Sequence, residues 1–135
     1  MIDARTAIAA SAFAALAATA ASASEDMGKE AYMQACAACH GESALGNGPI
    51  AEFLNVEVPG LTRLSADNGG AFPMLKVINI IDGRSVVRAH GDPMPIWGEI
   101  FKSQALGDSM VFGGAEALAR GKVLSIAYYL ESIQE

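Results

Sequence analysis

The chain has 135 residues and a net charge of −6, with 15 acidic and 9 basic residues. That length fits one domain, and the negative charge disfavours electrostatic binding to nucleic-acid phosphates or to an anionic membrane surface. The hydrophobic fraction of 52% argues against a disordered chain. Two cysteines are too few for a disulfide framework or a four-thiolate zinc site. The composition therefore predicts one small acidic domain whose chemistry depends on few residues.

The N-terminal segment has the pattern of an export signal. Residues 7–21 are nearly all apolar and uncharged, and the small residues Ala21-Ser22-Ala23 follow them. This pattern predicts a secretory signal peptide over 1–23, cleaved near Ala23, with the domain over 24–135 and a periplasmic location. An uncleaved anchor is the alternative, but a spanning helix needs about 20 apolar residues with stronger hydrophobicity than alanine provides.

Three helices are predicted in the remaining chain. The first begins near Ser24 and runs into Cys36, the second covers about Pro73–Asp82, and the third covers about Ala115–Ile133. One face of the first helix carries Gly28, Ala31, Tyr32 and Ala35. Residues 41–70 are predicted to be largely irregular, and 89–97 to form a proline-bounded loop. The outline is all-α, with too little helix to close a core by itself.

The strongest chemical signal is Cys36-Ala37-Ala38-Cys39-His40, a C-x-x-C-H motif. Two thiols three residues apart near a helix can reach the two vinyl groups of one porphyrin, and the next histidine can bind the iron. The motif uses both cysteines and one of the two histidines of the chain. It predicts one covalent c-type haem per chain, attached through Cys36 and Cys39, with His40 as an iron ligand.

Other uses of these residues are possible. A disulfide or dithiol redox pair fits an exported protein, but a thioredoxin-like pair needs a βαβ context, which the sequence does not show. A structural zinc site would need a fourth ligand, and His90 is the only other histidine. Haem is the favoured interpretation because the motif is complete.

Beyond the signal peptide, the chain resembles the class I c-type cytochromes. The resemblance rests on Gly28 and Tyr32, on CAACH at 36–40, on GDPMPIWG at 91–98 and on IAYYL at 126–130. It implies an all-α cytochrome c fold, in which small helices surround one covalent haem. It also implies that the N- and C-terminal helices cross where Gly28 meets Tyr129, with Tyr128 as the alternative aromatic residue.

The resemblance also implies that Met94 is the second iron ligand. Pro93 and Pro95 exclude helix around Met94 and fix the local backbone. Met74, Met110 and His90 are the alternatives. Ligation by His40 and Met94 leaves the iron no open position, which predicts one-electron transfer rather than catalysis.

Several neighbours of the site follow from the same resemblance. The carbonyl of Pro49 is expected to accept the N–H of His40. Trp97 is expected to lie along the haem, to donate to a haem propionate or to pack in the core. Arg63, Arg84 and Arg88 are candidate partners for the haem propionates, although each could equally be a solvated cation.

The resulting functional prediction is a periplasmic one-electron carrier that is not an enzyme. Its partners would be redox proteins, such as a dehydrogenase, an oxidase or a reductase, and its acidic charge favours partners with a basic patch. It would be a monomer or a subunit that reaches a membrane only through a partner complex. A dedicated haem subunit of an oxidoreductase is the main alternative, and a haem peroxidase or sensor is a further one.

Overall fold

The structure, a computed structural model, describes residues 26–84, 94–107 and 114–135, and the regular secondary structure within these ranges is helical. Its α-helices are α1 over residues 26–35, α2 (Ala37–His40), α3 (Met74–Asp82), α4 (Trp97–Gly107) and α5 (Ala115–Ser132). Short 3₁₀ helices cover Ala51–Phe53 and Ala66–Asn68. No strand occurs within these ranges, so the all-α prediction is confirmed. The predicted signal peptide over 1–23 lies outside the described residues.

The three predicted helices are present, and the structure adds one that was not predicted. Helix α4 starts at Trp97, the last residue of the predicted proline-bounded loop. Its sequence signal is the spacing of Trp97, Ile100 and Phe101 at i, i+3 and i+4. None of the described helices has the length and apolar character that a membrane-spanning segment requires.

Helix α5 lies at the centre of the core. Its buried face packs against α3 and α4, and α1 approaches it at Gly28. The buried side chains of α5 include Val123, Ile126, Ala127 and Leu130. Among the described residues, the largest side chains that are fully buried are Tyr32, Val123 and Ile126. Around this small centre lie apolar side chains that pack against it while staying partly exposed: Leu61, Leu64, Phe72, Met74, Ile78, Met94, Trp97 and Ile133.

The crossing of α1 and α5 depends on Gly28. A Cβ atom built on Gly28 would lie 2.9 Å from the Cβ of Tyr129 and closer still to the carbonyl oxygen of Ser125. The rings of Tyr32 and Tyr129 meet beside this contact, with centroids 5.3 Å apart. Tyr128 is about half exposed. The predicted contact between Gly28 and Tyr129 is therefore confirmed, and Tyr129 rather than Tyr128 is the aromatic partner.

Hydrogen bonds with the C-terminal residues fix the position of residues 61–65, the segment that follows Gly60. The Gln134 amide donates to the carbonyl of Leu61 at 2.8 Å and accepts from the backbone N–H of Ser65 at 2.9 Å. The backbone N–H of Glu135 donates to the carbonyl of Thr62 at 2.9 Å. These bonds join residues about 70 positions apart in sequence, so the position of the 61–65 segment depends on α5.

Replacing Gly28 with alanine is expected to destabilise the protein by about 1–3 kcal/mol, because the added methyl group forces α1 away from the backbone of α5. The matched control is Gly121→Ala in α5, where an added Cβ has no neighbour within 4 Å. That change should stabilise the protein by about 0.5–1 kcal/mol through helix propensity. Equilibrium urea unfolding followed by circular dichroism measures both. Equal effects of the two substitutions would contradict the close approach at Gly28.

Candidate functional site

Cys36, Cys39 and His40 lie together at the junction of α1 and α2. Cys36 follows α1 directly, and its backbone N–H donates to the carbonyl of Tyr32 at 2.8 Å. The backbone N–H of His40 donates to the carbonyl of Cys36 at 2.9 Å, which closes the turn. Because residues three apart on a helical turn share a face, Cys36 and Cys39 lie on the same side of the motif.

The two thiols differ in environment. Cys36 is buried, Cys39 is partly exposed, and neither is in a disulfide. Burial, with a smaller effect from the nearby Cys39, raises the pKa of the Cys36 thiol to about 12. Cys36 therefore stays protonated at neutral pH, whereas catalytic redox cysteines have lowered pKa values. This environment disfavours a dithiol redox pair.

A zinc site finds no support in the described part of the chain. No group of three or more histidine, cysteine, aspartate or glutamate side chains is placed there to hold a metal ion. His90, the remaining histidine, lies outside the described residues.

The imidazole of His40 is oriented by a backbone carbonyl. His40 is buried, and its Nδ1 lies 3.0 Å from the carbonyl oxygen of Pro59. Because a carbonyl oxygen only accepts hydrogen bonds, Nδ1 must carry the proton in this contact. The neutral ring then has its lone pair on Nε2, the form in which histidine binds metals.

The prediction that Pro49 supplies this carbonyl is wrong. The segment around Pro49 is held against the backbone of α2: the N–H of Gly48 donates to the carbonyl of Cys39 at 3.0 Å. Pro49 itself is exposed. The N–H of Leu61 donates to the carbonyl of Ala44 at 2.7 Å. That bond brings the chain back past the motif, so Pro59 rather than Pro49 reaches His40.

The loop after the motif satisfies the carbonyls at the end of α2. The N–H groups of Gly46 and Ile50 donate to the carbonyls of His40 and Ala38, at 2.8 and 2.9 Å. Gly46 has a φ of 80° and lies against the backbone at Val58, so a side chain there would be strained and would clash. These contacts fix the loop on the motif through backbone hydrogen bonds.

Tyr32 links this loop to the helix crossing. Its side chain is fully buried, and its hydroxyl donates to the carbonyl of Gly41 at 2.7 Å. Burial is the main cause that raises the pKa of Tyr32 well above its ordinary value. The hydroxyl is therefore protonated, and able to donate, over the whole physiological pH range.

The structure describes only some of the other predicted site residues. Met94 is partly buried and packs against the hydrophobic core. Its role as a ligand stays a prediction. Residues 85–93, which include Arg88 and His90, lie outside the described ranges, as does Met110. Met74, the described alternative, also packs against the core.

Trp97 and the described arginines have local partners. Trp97 stacks on Phe101 with centroids 5.4 Å apart, which supports the core-packing interpretation. Arg84 pairs with Asp82, and Arg63 is exposed. Their assignment as propionate partners remains untested.

The donor groups fit a covalently attached haem. Two thiols on one turn can form two thioether bonds to a single porphyrin, and the Nε2 lone pair of His40 is suited to iron. Partly buried apolar side chains such as Leu61, Phe72 and Ile78 provide apolar surface around the core. The motif and its surroundings thus match the chemistry that the sequence predicted for them.

Comparison with known proteins gave one match. The family model described as Cytochrome c matches residues 26–106, which include the C-x-x-C-H motif and Met94. No curated protein and no solved structure matched the chain.

Replacing Tyr32 with phenylalanine is expected to reduce the free energy of unfolding by about 0.5–1.5 kcal/mol, because one hydrogen bond to Gly41 is lost. The cost is limited because the carbonyl of Gly41 also accepts from the N–H of Ala44, at 3.1 Å. Tyr129→Phe is the control: the Tyr129 hydroxyl makes no hydrogen bond to the described residues, so its loss should change stability by less than about 0.5 kcal/mol. Urea unfolding measures both, and equal losses would argue against a role for the Tyr32 hydroxyl.

Proposed function

Because the chain belongs to the cytochrome c family, we propose that it is an exported one-electron carrier with His40 and Met94 as the two iron ligands. The observation that carries the proposal is the hydrogen bond of His40 Nδ1 to Pro59, within a C-x-x-C-H turn. This hydrogen bond leaves the lone pair of His40 Nε2 available to bind iron, and the same turn carries both thiols. The family itself supports a haem-based electron carrier with covalently attached haem.

Cys36 and Cys39 would hold the haem by thioether bonds. Both belong to a turn whose backbone is held by hydrogen bonds, among them the bond from the Tyr32 hydroxyl to the carbonyl of Gly41, so the two attachment points have a defined relative position. A fixed attachment keeps the cofactor in one orientation relative to His40. Such a carrier can exchange electrons repeatedly without losing its cofactor.

Met94 is proposed as the second ligand because of its backbone and its position. Prolines on both sides restrict the chain at Met94, and its side chain packs against the core. When bound, the haem iron supplies one-electron oxidation and reduction, and a thioether ligand raises its potential relative to a second imidazole. With His40 and Met94 in place, no coordination position remains for oxygen or peroxide.

The cellular role is proposed from the sequence. The apolar run at 7–21 and the small residues ending at Ala23 support export to the periplasm. There the protein would carry electrons between a dehydrogenase or membrane complex and an acceptor. Size-exclusion chromatography of native extract separates this role from that of a dedicated subunit, because a permanently bound catalytic chain would elute with the protein.

Removing the thiols tests the attachment. Cys36→Ser or Cys39→Ser should leave haem attached through one bond, whereas the double substitution should abolish covalent attachment. Haem staining on denaturing gels and the reduced pyridine haemochrome spectrum of the periplasmic fraction measure this. Covalent haem in the double variant would contradict the proposal, as would a colourless wild-type protein from a host that matures c-type cytochromes.

Replacing the proposed ligand tests the closed coordination. Met94→Leu should abolish the weak near-infrared sulfur–iron band and allow the reduced protein to bind carbon monoxide. Leucine nearly preserves the volume of methionine, so packing alone should change stability by less than about 1.5 kcal/mol, and any larger loss would come from the missing sulfur–iron bond. Met74→Leu, at a methionine that also packs against the core, is the matched control and should keep the band. Loss of the band in Met74→Leu instead would assign the ligand to Met74.

A further inference from the structure

Exposed apolar side chains are concentrated in the loop that follows the motif. Within twelve residues, four large hydrophobic side chains are exposed to solvent: Leu45, Ile50, Phe53 and Val56. We refer to these four as the 45–56 patch. Phe53 is 75% exposed and lies in the 3₁₀ helix Ala51–Phe53. Exposed apolar side chains that are this frequent within one segment can form a partner-binding surface, whereas isolated exposed apolar residues are common.

The backbone beneath the patch is fixed to the motif. The loop donates hydrogen bonds to the carbonyls of Ala38, Cys39 and His40. Further bonds from Ala51 to Gly48 and from Phe53 to Ile50 hold the 3₁₀ helix. A surface that is ordered before binding loses little conformational entropy when a partner docks. Because these bonds end on α2, a partner on the patch would lie beside the haem-binding residues.

The segment that carries the patch has charged side chains of one sign only. Residues 41–60 contain Glu42, Glu52 and Glu57 and no lysine or arginine. All three glutamates are exposed. None makes an ion pair with a cation in the part of the chain that the structure describes. The four apolar side chains of the patch therefore belong to a segment whose charged side chains are all negative.

Other exposed apolar side chains lie among charges of both signs. Met27 and Leu118 line a groove between α1, α4 and α5 that also contains Glu30 and Lys122. On α4 and α5, Glu116 pairs with Lys102 and Arg120. These surfaces offer no uniform potential to a charged partner, which separates them from the 45–56 patch.

We propose that the 45–56 patch is the docking surface for a redox partner whose contact face is apolar at its centre and ringed by lysine or arginine. The inference rests on the proposed function, since it assigns electron exchange to this surface. The carboxylates accelerate encounter with a basic partner, and the apolar side chains supply the contact that holds it. Association should therefore weaken as salt increases.

The test uses the haem-loaded protein and a small probe that reproduces the partner's chemistry. Tris(1,10-phenanthroline)cobalt(III) is a triply charged cation with aromatic surfaces, and it takes one electron from the reduced protein to give cobalt(II). Stopped-flow absorbance gives the second-order rate constant. In the variant E42Q/E52Q/E57Q this constant should fall about fivefold or more at about 0.01 M salt, where the screening length is about 30 Å. The difference should disappear near 1 M salt, where that length is about 3 Å.

The control for charge removes three exposed carboxylates elsewhere, in the variant E30Q/D67N/E131Q. Its net charge equals that of the patch variant. At about 0.1 M salt, where the screening length is about 10 Å, its rate constant should stay within about twofold of the wild type, while that of the patch variant should remain lower. Equal slowing in both triple variants would assign the effect to overall charge and overturn the proposal.

The apolar part is tested with Phe53→Gln against Leu75→Gln on α3, at nearly equal exposures of 75% and 76%. Phe53→Gln should slow the reaction with the phenanthroline complex about threefold or more, because apolar contact area is lost. It should not slow reduction of the oxidised protein by hexaammineruthenium(II), a cation without apolar surface. Leu75→Gln should change neither reaction. Equal effects of the two substitutions would contradict an apolar docking centre.

Other results would also overturn the proposal. Loss of haem absorbance in Phe53→Gln would show that the cofactor itself covers Phe53. A wild-type dimer in sedimentation equilibrium that dissociates in Phe53→Gln would make a second copy of the chain the occupant. If the wild type contains no redox-active haem, the proposed function is overturned as well. If the protein is redox-active but the patch variants react like their controls, only the docking surface is overturned.

Discussion

The close approach of α1 to α5 at Gly28 is the contact on which the position of the C-x-x-C-H motif depends. With no side chain at Gly28, the backbone of α1 lies against Ser125 and Tyr129. The ring of Tyr32, one turn further along α1, then meets Tyr129, and its hydroxyl holds the carbonyl of Gly41. Because Gly41 ends α2, a contact between two distant helices fixes the end of the turn that carries the haem-binding residues.

The imidazole of His40 is held from a second direction by residues far away in sequence. The carbonyl of Pro59 accepts the hydrogen bond from its Nδ1, and the segment that follows Pro59 is held by Gln134 and Glu135 beyond the end of α5. Helix α5 therefore supports both the turn and the ring orientation of His40. A histidine held in this way would move little between the oxidation states of a bound iron, which would keep the reorganisation accompanying each electron transfer small.

Local patterns in the sequence predicted most of the fold and part of the site. The helical spacing on α1, α3 and α5 and the grouping of Cys36, Cys39 and His40 depend on residues close in sequence. The Gly28–Tyr129 contact joins residues that are far apart in sequence, and it was predicted from the resemblance to the class I c-type cytochromes. The carbonyl that orients His40 was assigned to Pro49 instead of Pro59, because that contact depends on how an irregular loop folds back. The bend at Ala44, with a φ of 58°, and the hydrogen bond from Leu61 to Ala44 have no periodic signal. Helix α4 was not predicted, because the prolines before Trp97 favour a loop and the apolar spacing within the helix is short.

The distribution of apolar side chains explains why cofactor attachment and folding belong together in this chain. Few large side chains are completely buried among the described residues, while others such as Phe72, Met74 and Trp97 pack against the core and stay partly exposed. A small domain buries a low fraction of its surface, so additional apolar surface contributes strongly to its stability. A ligand that binds reversibly stabilises the folded state only in proportion to its concentration. Two thioether bonds remove that dependence, because the cofactor stays with the chain even when the chain unfolds. Covalent attachment therefore serves the stability of the fold as well as the retention of the redox centre.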